Sequence, residues 1–178
     1  MNIYGPRFNL YFLPVVVCLL AAGCAGTLFH HEKKQVALLR IHGESETSAA
    51  GPTKTISVLR SQPVEVNITT DPILTEADVV AARLLDAPGG FAVEVKFEDM
   101  GSWRLEQYSA MNPGKHLVIF AQWGKTLADG RWLAAPLIAR RMAGGTLVFT
   151  PDATHVEMEP WIKGLNEAAK KNAEQKSK

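Results

Sequence analysis

Cysteine is scarce in this chain: Cys18 and Cys24 are the only two among 178 residues. A disulfide framework or a cysteine-based metal site needs more thiols than that. Charge of one sign is missing too. Lys and Arg total 19 against 18 Asp and Glu. No basic face of the kind that nucleic-acid binding requires is expected, and so no nucleic-acid partner. After residue 22 no apolar run approaches the roughly 20 residues that cross a bilayer. The chain also lacks a Gly-x-Ser-x-Gly elbow, a phosphate-binding loop, a His-Glu-x-x-His helix and any internal repeat. These absences point away from a cofactor, a metal or a recognisable catalytic set. What remains is ordinary globular stock, 47% hydrophobic and 21% charged, enough for one packed domain.

The first 23 residues stand apart from that stock. Asn2 to Arg7 carry one positive side chain, and Phe8 to Ala22 carry no charge. The apolar centre, Tyr11 to Leu20, is short for a membrane span and has the layout of a secretory leader. It ends on Leu20-Ala21-Ala22-Gly23-Cys24, which resembles the lipobox of bacterial lipoproteins. Ala21 stands where the strictest form has Leu. The resemblance implies cleavage before Cys24, lipid on its sulfur and a membrane reached through that lipid. Lipidation would use the only cysteine left after cleavage. Arg7 leaves with the leader, so 18 residues of each sign remain. Ala25 in place of Asp favours the outer membrane, with the domain facing the periplasm.

The expected organisation is a leader at 1–23, a lipidated tether at 24–35, one domain at 36–171 and a polar tail at 172–178. Val36 to His42, Thr55 to Arg60 and Val64 to Ile68 alternate as strands do. Thr75 is a good N-cap, followed by Glu76 and Asp78. Ala77, Val80, Ala81, Leu84 and Leu85 at helical spacing then predict a helix that stops at Pro88-Gly89-Gly90. Phe91, Val93, Val95 and Phe97 alternate with polar or small residues and predict a half-buried strand. A helix from about Met100 to Met111 ends at Asn112-Pro113-Gly114, with Trp103 in its core face. Leu117 to Ala121 is apolar on both faces, as a central strand is. Residues 123–130 read as a loop and 131–135 as a strand. Pro136 to Met142 is expected to be helical, Thr146 to Phe149 a strand, and Thr150-Pro151 the start of a last helix that Pro160 kinks. The order implies an α+β fold: a mixed, mostly antiparallel sheet with helices packed on one face.

Several of these pieces, in this order, resemble the periplasmic head domain of SecD, a membrane subunit of the bacterial protein-export machinery. They are Leu74-Thr75-Glu76-Ala77-Asp78-Val79, Val93-Glu94-Val95-Lys96-Phe97 with Gly101 and Leu105, Asn112-Pro113-Gly114-Lys115, Ala134-Ala135-Pro136-Leu137-Ile138, and Gly144-Gly145 with Phe149 and Glu157. The resemblance spans about Thr55 to Leu165. Ser109 replaces the family's usual Thr, and the loop from Trp123 to Arg131 is longer. It implies a SecD head-like fold and a binding role, not a proton-driven cycle, since that cycle runs through membrane-spanning segments.

No constellation of side chains speaks for catalysis. His30-His31-Glu32 sits in the tether, where a metal site would lack a frame. Asp71, Asp78, Asp129 and Asp152 suit turns and caps. Four tryptophans are more informative. Trp161 suits the last helix. Trp123 and Trp132 flank the glycine-containing loop; they either close the core edge or offer aromatic surface to a partner. Arg140 and Arg141, beside Gly144-Gly145, are a candidate anion contact, although a solvated face is the commoner role. The leading expectation is a non-enzymatic interaction module on a lipid tether, binding a polypeptide or an envelope component. An envelope hydrolase using Glu98, Asp99 and His116 is the second reading, and a structural spacer is the third.

Overall fold

Alternation in β1 (Leu38–Gly43) sets the architecture. Leu39 and Ile41 are fully buried on one face, and Arg40 and His42 point to the other. The computed structural model describes residues 36–46, 51–59, 61–124, 127 and 129–176. Cys24, the leader and the tether lie outside the described residues. β1 pairs with β7 (Leu117–Trp123) on one side and the two-residue β4 (Leu74–Thr75) on the other. With β8 (Asp129–Ala134) beside β7 they form a four-stranded sheet ordered β4-β1-β7-β8. A second sheet joins β5 (Val79–Ala87), β6 (Gly90–Phe97) and β9 (Thr146–Phe149). A hairpin of β2 (Thr53–Val58) and β3 (Val64–Thr69) stands separately. All these pairings are antiparallel. The α+β class therefore holds, with the strands divided over three sheets.

One core joins the inner faces of the two larger sheets to α1 (Asp99–Met111) and α2 (His155–Lys176). Leu105, Met158, Trp161 and Leu165 reach it from the helices, each fully buried. Each such side chain contributes about 1.5–3 kcal/mol by leaving water. A second, smaller core explains why β7 is apolar on both faces. Val118 points away from the main core and meets Ile56, Val58, Val66 and Ile68 of the hairpin.

The helix expected after Thr75 does not form. Thr75 does cap: Asp78 accepts its backbone N–H at 2.8 Å, and Ala77 N–H reaches its Oγ1 at 3.3 Å. The turn it opens is one short 3-10 turn, Glu76–Asp78, after which the chain enters β5. A β-bulge explains the misleading period. The register slips between Val79, opposite Phe97, and Ala81, opposite Lys96. The extra residue turns Val79 and Ala82, three apart, toward the same core. Strand pairing with β6 then overrides the helical preference of Ala, Leu and Arg. β5 lies at the edge of its sheet, and the Asn166 side chain takes the place of a further strand at one residue. Its amide donates to Ala82 O at 2.9 Å and accepts from Ala82 N–H at 2.8 Å.

Three further expectations change. Residues 136–142 form no helix; Leu117 N–H donates to Pro136 O, and Ile138 N–H to Lys115 O, so the segment runs beside the start of β7. Trp103 is 54% exposed, because the buried stripe of α1 is Gly101, Leu105 and Ser109 at four-residue spacing. The last helix starts not at Thr150-Pro151 but at His155, and Thr154 caps it, its Oγ1 accepting the Glu157 N–H at 3.3 Å. Pro160 sits inside that helix, which continues to Lys176 through most of the expected tail. Trp161 does serve α2, as expected.

The cap of α2 carries the largest shifted acid. Glu157 accepts Thr154 N–H at 2.7 Å and Thr154 Oγ1–H at 2.9 Å, and Arg131 Nη2 at 2.6 Å. Those bonds, the one from the Thr154 backbone first, hold its carboxyl at about 2 against an ordinary 4.5. A depressed carboxyl stabilises the fold at a pH above its unfolded value and loses that contribution as pH falls through its folded value. The Glu157 side chain is 35% exposed, so solvent screens the gain. Glu157→Gln is expected to cost about 1–2 kcal/mol at pH 7, with the gap to wild type closing between pH 5 and pH 2. Urea midpoints of both proteins across that range measure it. A gap that persists unchanged at pH 2 would contradict the ionic origin.

Candidate interaction groove

The outer face of the four-stranded sheet is only partly covered. The hairpin packs its apolar inner face on Val118, and beyond that contact the two layers leave a groove of about 400 Å³. β1 supplies Arg40 and His42, β7 supplies Phe120 and β8 supplies Trp132. These residues share a face because alternation sends Leu39, Ile41, Ile119 and Leu133 inward. The hairpin contributes Lys54 and Ile68, and Thr70 and Pro72 form one rim.

The floor is aromatic. Phe120 and Trp132 lie with ring centroids 4.9 Å apart at 56°, and His42 meets Trp132 edge-on at 5.5 Å and 67°. Such pairs add about 0.5–1.5 kcal/mol beyond buried area. His42 Nδ1 lies 2.9 Å from Thr69 O. A carbonyl only accepts, so Nδ1 carries the proton and the ring is held in one orientation. Burial, with help from the Arg40 charge, pushes the imidazole below its usual range against the Thr69 bond. The walls are cationic. Arg40 Nη1 donates to the Glu76 carboxylate and, at 3.0 Å, to Leu39 O. Lys54 is exposed and makes no ion pair among the described residues.

The residues singled out from the sequence do not all meet here. Trp132 lines the groove, half-buried. Trp123 is 7% exposed and packs in the main core beneath Arg131, whose guanidinium lies 5.3 Å from its ring centre. It offers a partner little surface. Arg140 and Arg141 are exposed, outside the groove, and Arg141 pairs with Glu106 of α1. Glu98 and Asp99 sit at the start of α1, and His116 lies beyond its end. Thirteen helical residues put roughly 20 Å between those ends. Glu98 instead receives the Lys176 ammonium. His116 Nδ1 lies 2.7 Å from Glu44 Oε2, which also accepts the His116 N–H at 2.8 Å. Burial pushes the Glu44 carboxyl up, but the His116 bonds outweigh it and hold it below the usual range. No three of His, Cys, Asp and Glu are grouped as metal ligands would be among the described residues.

Sequence reading passed over Arg40, His42, Lys54 and Phe120. The signal for β1 was present, since alternation already opposed Arg40 and His42 to Leu39 and Ile41. That the opposite face stays partly open was not readable from β1 alone.

No protein-family model matches the chain, and no curated protein matches its sequence. Solved structures do match. One, described as a membrane component SecDF that enhances protein export, superposes with a TM-score of 0.51 at 20% identity, over 93% of this chain and 72% of that one. Another, SecDF in a super-membrane-facing form, gives 0.51 at 21% identity over 90% of this chain and 21% of that one. At such identity the likeness is one of fold. The fold is SecD-like, as the motif order implied. Among the described residues no helix is long and apolar enough to cross a membrane.

Proposed function

We propose that this chain is a lipid-anchored protein of the bacterial envelope whose SecD-like domain is a non-enzymatic module that binds polypeptide. The single observation that carries the reading is the groove built on this fold: a half-buried aromatic pair flanked by cations, open to solvent, with the acid–base candidates at opposite ends of α1. A concave aromatic floor favours binding of side chains, because stacking and desolvation reward them there. The fold likeness to SecDF, a component described as enhancing protein export, supports a polypeptide as the ligand. Lipid on Cys24 would hold the domain at the membrane, with the outer membrane favoured. The stretch from Cys24 to Leu38, which contains the tether at 24–35, spans at most about 50 Å when fully extended.

Two measurements test this. Cys24→Ser is expected to lose incorporated acyl label and to leave the membrane fraction. A variant that stays membrane-bound and unprocessed would sink the anchor. For the domain, fluorescence anisotropy with a panel of labelled unstructured peptides should give binding that Trp132→Ala weakens about tenfold, near 1.4 kcal/mol. No binding to any peptide by a folded wild-type protein would refute the module.

A further inference from the structure

We infer that the groove selects acidic polypeptide segments, in which an apolar side chain enters over Phe120 and Trp132 while a neighbouring carboxylate meets Lys54 and Arg40. This deepens the reading of the chain as a polypeptide-binding module and rests on it.

Charge carries the selection. The groove is lined by two cations and no acid. The sequence as a whole is balanced, 19 basic residues against 18 acidic, so two cations with no acid in the lining of one concave site are a local departure. Arg40 is partly neutralised by Glu76, yet both of its contacts run through Nη1, and a guanidinium has five N–H donors. Lys54 has no ion-pair partner among the described residues. Its ammonium is a point charge on a flexible stem, suited to a carboxylate that arrives in varied geometry.

The rest of the lining sets what accompanies the charge. Phe120 and Trp132 are held 4.9 Å apart, and His42 is fixed against Trp132 through Thr69. That makes a rigid apolar floor which needs no ordering when a side chain lands on it. A volume of about 400 Å³ holds two or three side chains, not a domain surface. The same concavity disfavours a bilayer as the occupant. A flat membrane reaches cations on a convex patch, and here the aromatic floor lies below the rim, half-buried.

The test uses three labelled dodecapeptides on the full chain, each alternating Leu and Phe with Glu, Gln or Lys. Vesicles of phosphatidylglycerol and of phosphatidylcholine serve as separate arms. The Glu peptide is expected to bind at least tenfold more tightly than the Lys peptide, with affinity falling as salt rises. Lys54→Glu should erase or reverse that preference, and Lys54→Gln should halve it on a logarithmic scale. Because Lys54 is exposed, both variants are expected to melt with wild type. If the three peptides bind equally and Lys54→Glu changes nothing, the acidic selection is wrong while polypeptide binding stands. If no peptide binds, the underlying reading falls with it. Binding to phosphatidylglycerol vesicles without binding of the Glu peptide would overturn the proposal in favour of a lipid headgroup.

Discussion

Trp161→Ala is expected to lower stability by about 4–5 kcal/mol, enough to leave much of the protein unfolded at 37 °C. Trp161 is fully buried in the main core, on the face of α2 that also carries Met158 and Leu165. Truncation removes one of the largest side chains there and leaves a cavity that its neighbours fill only in part. A second loss adds to it. The indole N–H donates to Leu38 O at 3.1 Å, joining α2 to the first residue of β1. Without it that carbonyl loses its side-chain partner, at a cost of order 1–3 kcal/mol where water cannot substitute. Trp161→Phe separates the two: it keeps most of the volume, loses the hydrogen bond, and should cost about 2 kcal/mol. Urea titration of the three proteins reads the difference. A loss below about 1 kcal/mol for Trp161→Ala would mean that α2 does not hold β1.

Gly43→Ala is expected to cost about 2–3 kcal/mol, with most of that cost disappearing when Tyr108 is also truncated. In an ordinary strand the same change would help slightly, because Ala restricts the unfolded chain more than Gly does. The sign is reversed here by one contact. A Cβ on Gly43 would stand 2.0 Å from Tyr108 Oη and 2.4 Å from Cζ. The ring cannot simply swing away. It is half-buried against the main core, and its hydroxyl donates to Glu44 O at 3.4 Å. Burial, with the Glu44 charge behind it, also pushes that phenol above its ordinary range, so the neutral hydroxyl remains the donor. A double-mutant cycle of Gly43→Ala with Tyr108→Ala should show a coupling of at least about 1 kcal/mol. Additive losses would show that the strand end relaxes freely and that α1 is not seated on it.

Both predictions concern β1, which supplies Arg40 and His42 to the groove. Trp161 holds its first residue and Tyr108 presses on its last. The groove is thus positioned from the opposite face of the sheet, by side chains that never touch a ligand. Binding assays on destabilised variants of either residue need a folded-fraction control for that reason.

Reading from sequence succeeded where a pattern was complete within one segment. The alternation of Phe91 to Phe97 and the two apolar faces of Leu117 to Ala121 each define their element by themselves, as does the Asn112-Pro113-Gly114 stop after α1. Thr154 and Glu157 form a Thr-x-x-Glu capping box, the local signal for the start of α2, and Thr150-Pro151 is a second start signal four residues earlier in the chain that no helix follows directly. The SecD-like order of motifs led to the fold for the same reason, since each motif is a local turn, cap or strand start. Other outcomes needed the whole molecule. Val79 to Ala87 has helical spacing, and only the pairing with β6, with its bulge, makes it a strand. Residues 136–142 run beside β7 because unpaired backbone groups there find partners at residues 114–117. Trp103 is exposed where a core position was expected, and Trp123 takes the core-edge role of its two open ones, because burial depends on which face another element covers. The groove is the plainest case. Arg40, Lys54 and Trp132 are separated by up to 92 positions in the chain, and they meet only because a hairpin closes on part of a sheet and leaves the remainder open. Local periodicity determined what each segment could become, while long-range pairing decided which faces stayed exposed.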